Sequence, residues 1–160
     1  MQQQICQLIN RRYFTDEDVL ALGQEAVLPL IALFDEAVID EMDTQRQTII
    51  YMLGLLDGEQ SVAFLTALYS QFAGKNETLH MAVVSALART DHESALKLVL
   101  PLLENDDKRT RKNAIVGLRH SKRPEVLDKV KQCAQSDLEP SLRHYAERVA
   151  AEIAAQLPKD

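Results

Sequence analysis

Four positions, Arg46, His80, Arg111 and Arg143, recur at intervals of 34, 31 and 32 residues, and each opens the same apolar pattern. Three residues later stand Ile49, Val83, Ala114 and Ala146; seven later stand Leu53, Leu87, Leu118 and Ala150. Steps of three and four place such side chains on one face of a helix. Asp57, Asp91 and Lys122 mark a break at the eleventh position, and second apolar runs begin near Val62, Leu96 and Val126. A helix–break–helix unit of this length cannot bury its stripe alone, so neighbouring units must stack to make a continuous core. The expected fold is an all-α solenoid of about four helix pairs plus a C-terminal capping helix.

The approximate units are 1–39, 40–75, 76–105 and 106–136, followed by a terminal helix at 137–157. The first unit is degenerate: a short helix over Gln2 to Arg12, a helix start at Thr15, and a stripe from Val27 to Phe34 with Pro29 tolerated near its beginning. An acidic connection runs from Asp35 to Asp43. Capping-box spacing at Thr44/Gln47, Asp57/Gln60, Thr90/Glu93 and Ser136/Glu139 agrees with the unit boundaries. The terminal helix is rich in alanine, which suits close packing on the preceding pair, with Arg143, Glu147, Arg148 and Glu152 toward water. Only 5% aromatic residues, five Gly and five Pro favour helix over sheet.

The residues Leu53, Gly54 and Asp57 to Val62 resemble the middle of the short bacterial HEAT-like repeats first named from phycobilisome lyases. Asp106 to Leu118 resembles the start of that pattern, Leu142 to Ala146 echoes it, and Leu22 to Leu30 is a shortened copy. The resemblance covers roughly residues 16–157 and implies a right-handed α-α superhelix of the HEAT/armadillo-like kind. It further implies that Arg111 bonds to inter-repeat acidic or carbonyl groups. Ankyrin is the nearest decoy: Thr78 to Ala82 resembles its opening motif, but the proline is missing and no other unit matches.

Charge is segregated along the chain. Residues 1–107 hold 6 Lys/Arg against 17 Asp/Glu, whereas residues 108–131 hold 9 against 2, within a net charge of −6. A solvated face that pairs with acidic neighbouring repeats is the simpler account of that basic window. A binding surface is the functional one. The expected function is a non-enzymatic protein-binding scaffold, adaptor or regulator with another protein as partner. Its curved surface is expected to be lined by the second helices of each unit. Candidate contacts are Lys122, Arg123 and Lys129 at the basic end and Asp35, Glu36 and Glu59 at the acidic end.

The alternatives follow from family likeness alone. Bilin lyases share the repeat type, but the resemblance places no catalytic residue here. Alkylpurine DNA glycosylases show that HEAT-like arrays can bind nucleic acid, yet this chain is acidic and confines its basic residues to one repeat. Deoxyhypusine hydroxylase holds iron through paired His-Glu motifs; at His144 the following residue is Tyr145, and His92–Glu93 falls in a break. No catalytic residue, cofactor or metal is therefore expected. Cys6 and Cys133 match no redox or zinc spacing. The N-terminus lacks a signal-peptide pattern and no apolar run reaches the length of a membrane span. The expectation is a cytoplasmic protein that engages neither membrane nor nucleic acid.

Overall fold

The structure is a computed structural model that describes residues 1–11, 13–37 and 43–158. The chain runs α1 (Gln2–Ile9), α2 (Asp16–Leu20), a 3-10 turn (Gln24–Ala26), α3 (Val27–Glu36), α4 (Thr44–Leu55) and α5 (Glu59–Phe72). It continues as α6 (Glu77–Arg89), α7 (Glu93–Val99) with a 3-10 extension (Leu100–Glu104), α8 (Lys108–Leu118), α9 (Pro124–Ser136) and α10 (Pro140–Gln156). The described residues thus form an all-α, HEAT-like helical repeat solenoid. The far end of the expected starting helix at Arg12, the middle of the acidic connection and the boundary between residues 39 and 40 lie outside the described residues.

Local chemistry sets the helix ends. Thr15 and Asp18 form a reciprocal capping box, with the Thr15 N–H donating to the Asp18 carboxylate at 2.8 Å and the Asp18 N–H to the Thr15 hydroxyl at 3.2 Å. Asn76 and Asp107 accept from the N–H groups of Leu79 and Thr110, both at 3.0 Å. Pro124 and Pro140 open α9 and α10, where their missing N–H costs nothing. Pro101 cannot donate within α7, and the helix tightens into its 3-10 extension at that point.

The four expected capping boxes do not form. The N-caps of α4, α5 and α10 are Asp43, Gly58 and Glu139, none with a side-chain cap bond, and α7 is capped by the His92 ring accepting from Ser94. Helices α5, α7 and α10 begin beyond the residue that the four-residue match would make their cap, whereas α4 begins at Thr44 itself, one residue earlier than that match implies. At three of these helix starts an aspartate adopts positive φ: Asp43 at 48° is itself the cap of α4, and Asp57 at 21° and Asp91 at 52° turn the chain just before the caps of α5 and α7.

The first helices α4, α6 and α8 stand side by side and pack on one another far more extensively than the second helices α3, α5 and α7 do. Glycine permits this. A Cβ on Gly54 would lie 2.9 Å from both Cα and Cβ of Ala86, and one on Gly117 would lie 2.9 Å from the Ser85 carbonyl oxygen and closer still to the Ala88 methyl. Between the two layers a continuous core runs from Ile5 through Leu30, Ile49, Leu87 and Leu118 to Ile153. In α10, Ala146 and Ala150 are buried as expected, but Ala151, Ala154 and Ala155 are exposed. Of the side chains expected to face water there, Glu152 instead pairs with Arg119.

Candidate interaction surface

Breaks within helix pairs gather at one edge of the array and connections between pairs at the other, and polar side chains tie neighbouring repeats along both edges. At the connection edge, Asn76 donates to the Asp43 carboxylate at 2.7 Å. Arg111 grips Asp137 through Nε at 2.9 Å and Nη2 at 3.1 Å, while its Nη1 donates to the carbonyls of Asn105 and Asp106 at 2.8 and 3.0 Å. Arg111 therefore has the inter-repeat role that the sequence resemblance implies. At the break edge, the Gln24 amide donates to the Leu56 carbonyl. There too, the Asp91 carboxylate accepts from the Ser121 hydroxyl and from the Lys122 N–H at 3.1 Å. The partners lie about one repeat apart, so each tie fixes the offset between successive units.

These ties absorb much of the basic window. Lys108 pairs with Glu139 at 2.9 Å, Arg109 with Glu77 at 3.1 Å, Arg111 with Asp137, and Arg119 with Glu152 at 2.9 Å. Arg123 lies 3.5 Å from Glu125 and donates through Nε to the Asp91 carbonyl at 3.0 Å. Five of the nine basic side chains thus meet acids of a neighbouring repeat or helix, Arg123 doing so at 3.8 Å from the Asp91 carboxylate. The remaining lysines, Lys112, Lys122, Lys129 and Lys131, line four separate hollows and do not converge.

The candidate residues fall in different parts of the array. Lys122 is exposed at the break edge, and Arg123 beside it is half-buried against Asp91. Exposed Lys129 lies along α9 and lines a hollow of about 210 Å³ that also contains Cys133 and the Arg111–Asp137 pair. Asp35 and Glu36 end α3 on the connection side, whereas Glu59 opens α5 on the break side; all three are exposed. The sequence placed them at the two ends of one surface, and the antiparallel helix pairs divide them between opposite edges.

A groove of about 440 Å³ lies on the face of the first helices, not on the second helices expected to line the binding surface. Its floor follows from the close helix approach: Ala82, Ser85 and Ala86 of α6 and Gly117 of α8 leave little side-chain bulk above the backbone. Its rim carries Phe14, Tyr51, Arg89, Arg119 and His120. Tyr51 and Arg89 are held together by Asp16, which accepts a hydrogen bond from the Tyr51 hydroxyl and an ion pair from the Arg89 guanidinium. The same guanidinium stacks 5.1 Å from the Tyr51 ring centroid, and Phe14 lies 6.2 Å from Tyr51 centroid to centroid. Asp16 and Arg89 are 73 residues apart, which is why no local motif announced the groove. The glycine and alanine positions were the available signal, since small residues on an outward helix face mark close approach.

Electrostatics at this rim favour neutral imidazole. Burial lowers the pKa of His120, and the charges of Arg89 and Arg119 lower it further against the opposing pull of Asp16 and Glu152. Tyr51 is raised above the ordinary phenol range, first by burial and then by its bond to Asp16. Among the described residues, no group of three or more His, Cys, Asp or Glu side chains converges as for a metal ion. No helix among them is long and apolar enough to cross a membrane. No curated protein matches the chain. A family model described as HEAT repeats matches residues 67–151, just over half of the chain, from within α5 to within α10. The matched span contains the α6–α7 and α8–α9 pairs and their inter-repeat ties: the chain belongs to the HEAT-repeat family.

Proposed function

We infer that the chain is a non-enzymatic protein-binding scaffold whose docking face is the groove over α4, α6 and α8. The observation that carries this reading is the groove's composition across successive repeats: a floor of small residues with Tyr51, Phe14, Arg89 and Arg119 around it. Tyrosine and arginine dominate binding energy at protein interfaces because they combine large contact area with directional polar groups. Repeat arrays supply such surfaces by stacking units along one axis. Lys122 and Lys129, with Asp35, Glu36 and Glu59, then steer the approach of a charged partner and do not form the central contact. Arg123 contributes to the array itself. Free thiols at Cys6 and Cys133 suit a reducing compartment such as the cytoplasm.

Site-specific photocrosslinking in the source cells tests the docking face. A photoreactive residue in place of Tyr51 is expected to yield a discrete protein adduct that disappears when Thr48→Trp fills the groove. The same probe at Leu28, exposed on α3, is expected to yield none. Equal adducts at both positions, or an adduct indifferent to Thr48→Trp, would refute the groove as the docking face.

A further inference from the structure

We propose that this groove seats a short acidic segment of a partner protein, in which carboxylates stand beside one or two large apolar side chains. The proposal rests on the groove being the docking face and adds the chemistry of the occupant. Among the described residues its lining contains two guanidiniums, Arg89 and Arg119, and no carboxylate, their pairing acids Asp16 and Glu152 standing outside the lining, on a chain whose net charge is −6. An acidic segment is repelled by most of such a protein and attracted at this groove, which makes charge a selector of place as well as of partner.

Both guanidiniums are held in position before any partner arrives. Arg119 is fixed by two bonds to Glu152, at 2.9 Å from Nε and 3.1 Å from Nη2. Arg89 is fixed by Asp16 and by stacking on Tyr51. A guanidinium has five N–H donors, so each tie leaves donors free for an incoming carboxylate. Held side chains lose less rotamer entropy on binding. Beside the charges, earlier along the same helices, Ala82, Ala86 and Val116 offer an apolar floor, and Phe14 and Tyr51 an aromatic wall. Three helices spaced about 8–10 Å apart set a span of roughly 20 Å between α4 and α8, which accommodates about six residues in extended form. Beyond Arg89 and His120 the groove meets a hollow of mixed charge that carries Asp16, Asp57, Asp91 and Lys122.

The test is selection of a displayed random-peptide library on the full chain, followed by fluorescence polarisation with the strongest selected peptide. Two charge-swapped proteins keep their ion pairs while reversing the lining: Asp16→Arg with Arg89→Glu, and Arg119→Glu with Glu152→Arg. The expected peptides are enriched in Asp and Glu around Leu, Ile or Phe. Their affinity is expected to fall more than about tenfold in each swap and in Thr48→Trp, and to weaken with added salt. The salt series needs no variant and decides the matter if a swap does not fold. Peptides that lack acidic enrichment yet lose binding in Thr48→Trp would overturn the acidic occupant and leave the docking face standing. Peptides indifferent to Thr48→Trp would overturn both. A library that yields no peptide above background would overturn the proposal, leaving the docking face to the crosslinking result.

Discussion

Replacing Arg111 with methionine is the most revealing single change in this array. The substitution keeps much of the aliphatic stem but removes a guanidinium whose side chain is only 9% exposed, facing an Asp137 side chain that is 2% exposed. It leaves the carbonyls of Asn105 and Asp106 without their shared donor, and it leaves a buried carboxylate with only the Glu139 N–H, at 2.9 Å, as a charge-stabilising bond. Removing one partner of a buried ion pair costs about 3–5 kcal/mol, chiefly the desolvation of the charge left behind. For a chain of this size that is a fall in Tm on the order of 10 °C. Chemical denaturation with circular dichroism, alongside hydrogen exchange on α9 and α10, measures it. Because each repeat is held only by its neighbours, protection is expected to be lost first in α9 and α10, while α4 to α6 keep theirs.

The double variant Arg111→Met with Asp137→Leu removes the orphaned charge and is expected to be more stable than Arg111→Met alone. The pH dependence gives an independent check. Burial raises the Asp137 pKa, but the Arg111 hydrogen bond, the Glu139 N–H and the charges of Arg111 and Arg143 outweigh it, so the net shift is downward. A depressed folded-state value means that the pair contributes fully above the unfolded value, about 3.9. That contribution is lost as pH falls through the lower folded value. The gap between wild type and Arg111→Met should therefore narrow in acid. A loss below about 1 kcal/mol at neutral pH, or a double variant no more stable than the single one, would refute the reasoning.

Gly117→Ala is expected to cost about 1–3 kcal/mol, because its Cβ would press on the Ser85 carbonyl and the Ala88 methyl; adding Ala88→Gly should restore part of this in a denaturant titration. Asn76→Ala removes both the α6 cap and the donor to Asp43, with an expected loss of about 1–2 kcal/mol measured the same way. In an NMR titration His120 should hold its neutral form below the ordinary histidine range, for burial and for the Arg89 and Arg119 charges. The Arg119→Glu with Glu152→Arg swap should raise its pKa only slightly, since Arg119 acts on the imidazole more strongly than Glu152 and the swap exchanges the two charges.

The repeat register was readable from the chain because it is written in local terms. Ile49, Val83 and Ala114, with Leu53, Leu87 and Leu118 four residues later, place one stripe on each first helix, and only stacking buries such stripes. The role of Arg111 was readable too, through likeness to a repeat pattern whose arginine serves the same joint. The helix caps were less so: Thr44, Asp57, Thr90 and Ser136 have the spacing of a capping box, but positive φ at Asp57 and Asp91 moves two of these breaks past it and positive φ at Asp43 makes that residue the cap in place of Thr44. Spacing alone does not encode that backbone turn.

What tertiary structure alone decided was which charges are already used and which helices form the open face. The basic window from Lys108 to Lys131 looks like one surface in sequence order. In space Arg111, Arg119 and Arg123 reach Asp137, Glu152 and Asp91, while Lys112, Lys122, Lys129 and Lys131 line separate hollows. The groove arises because Gly54 and Gly117 let three first helices close up, and because Asp16 reaches Arg89 and Tyr51 from a distant part of the chain. Helical periodicity determines what each segment must bury, since it acts over a few residues. The pairing of charges across repeats and the shape of the exposed face depend on how closely the helices approach, which is settled only when the whole array packs.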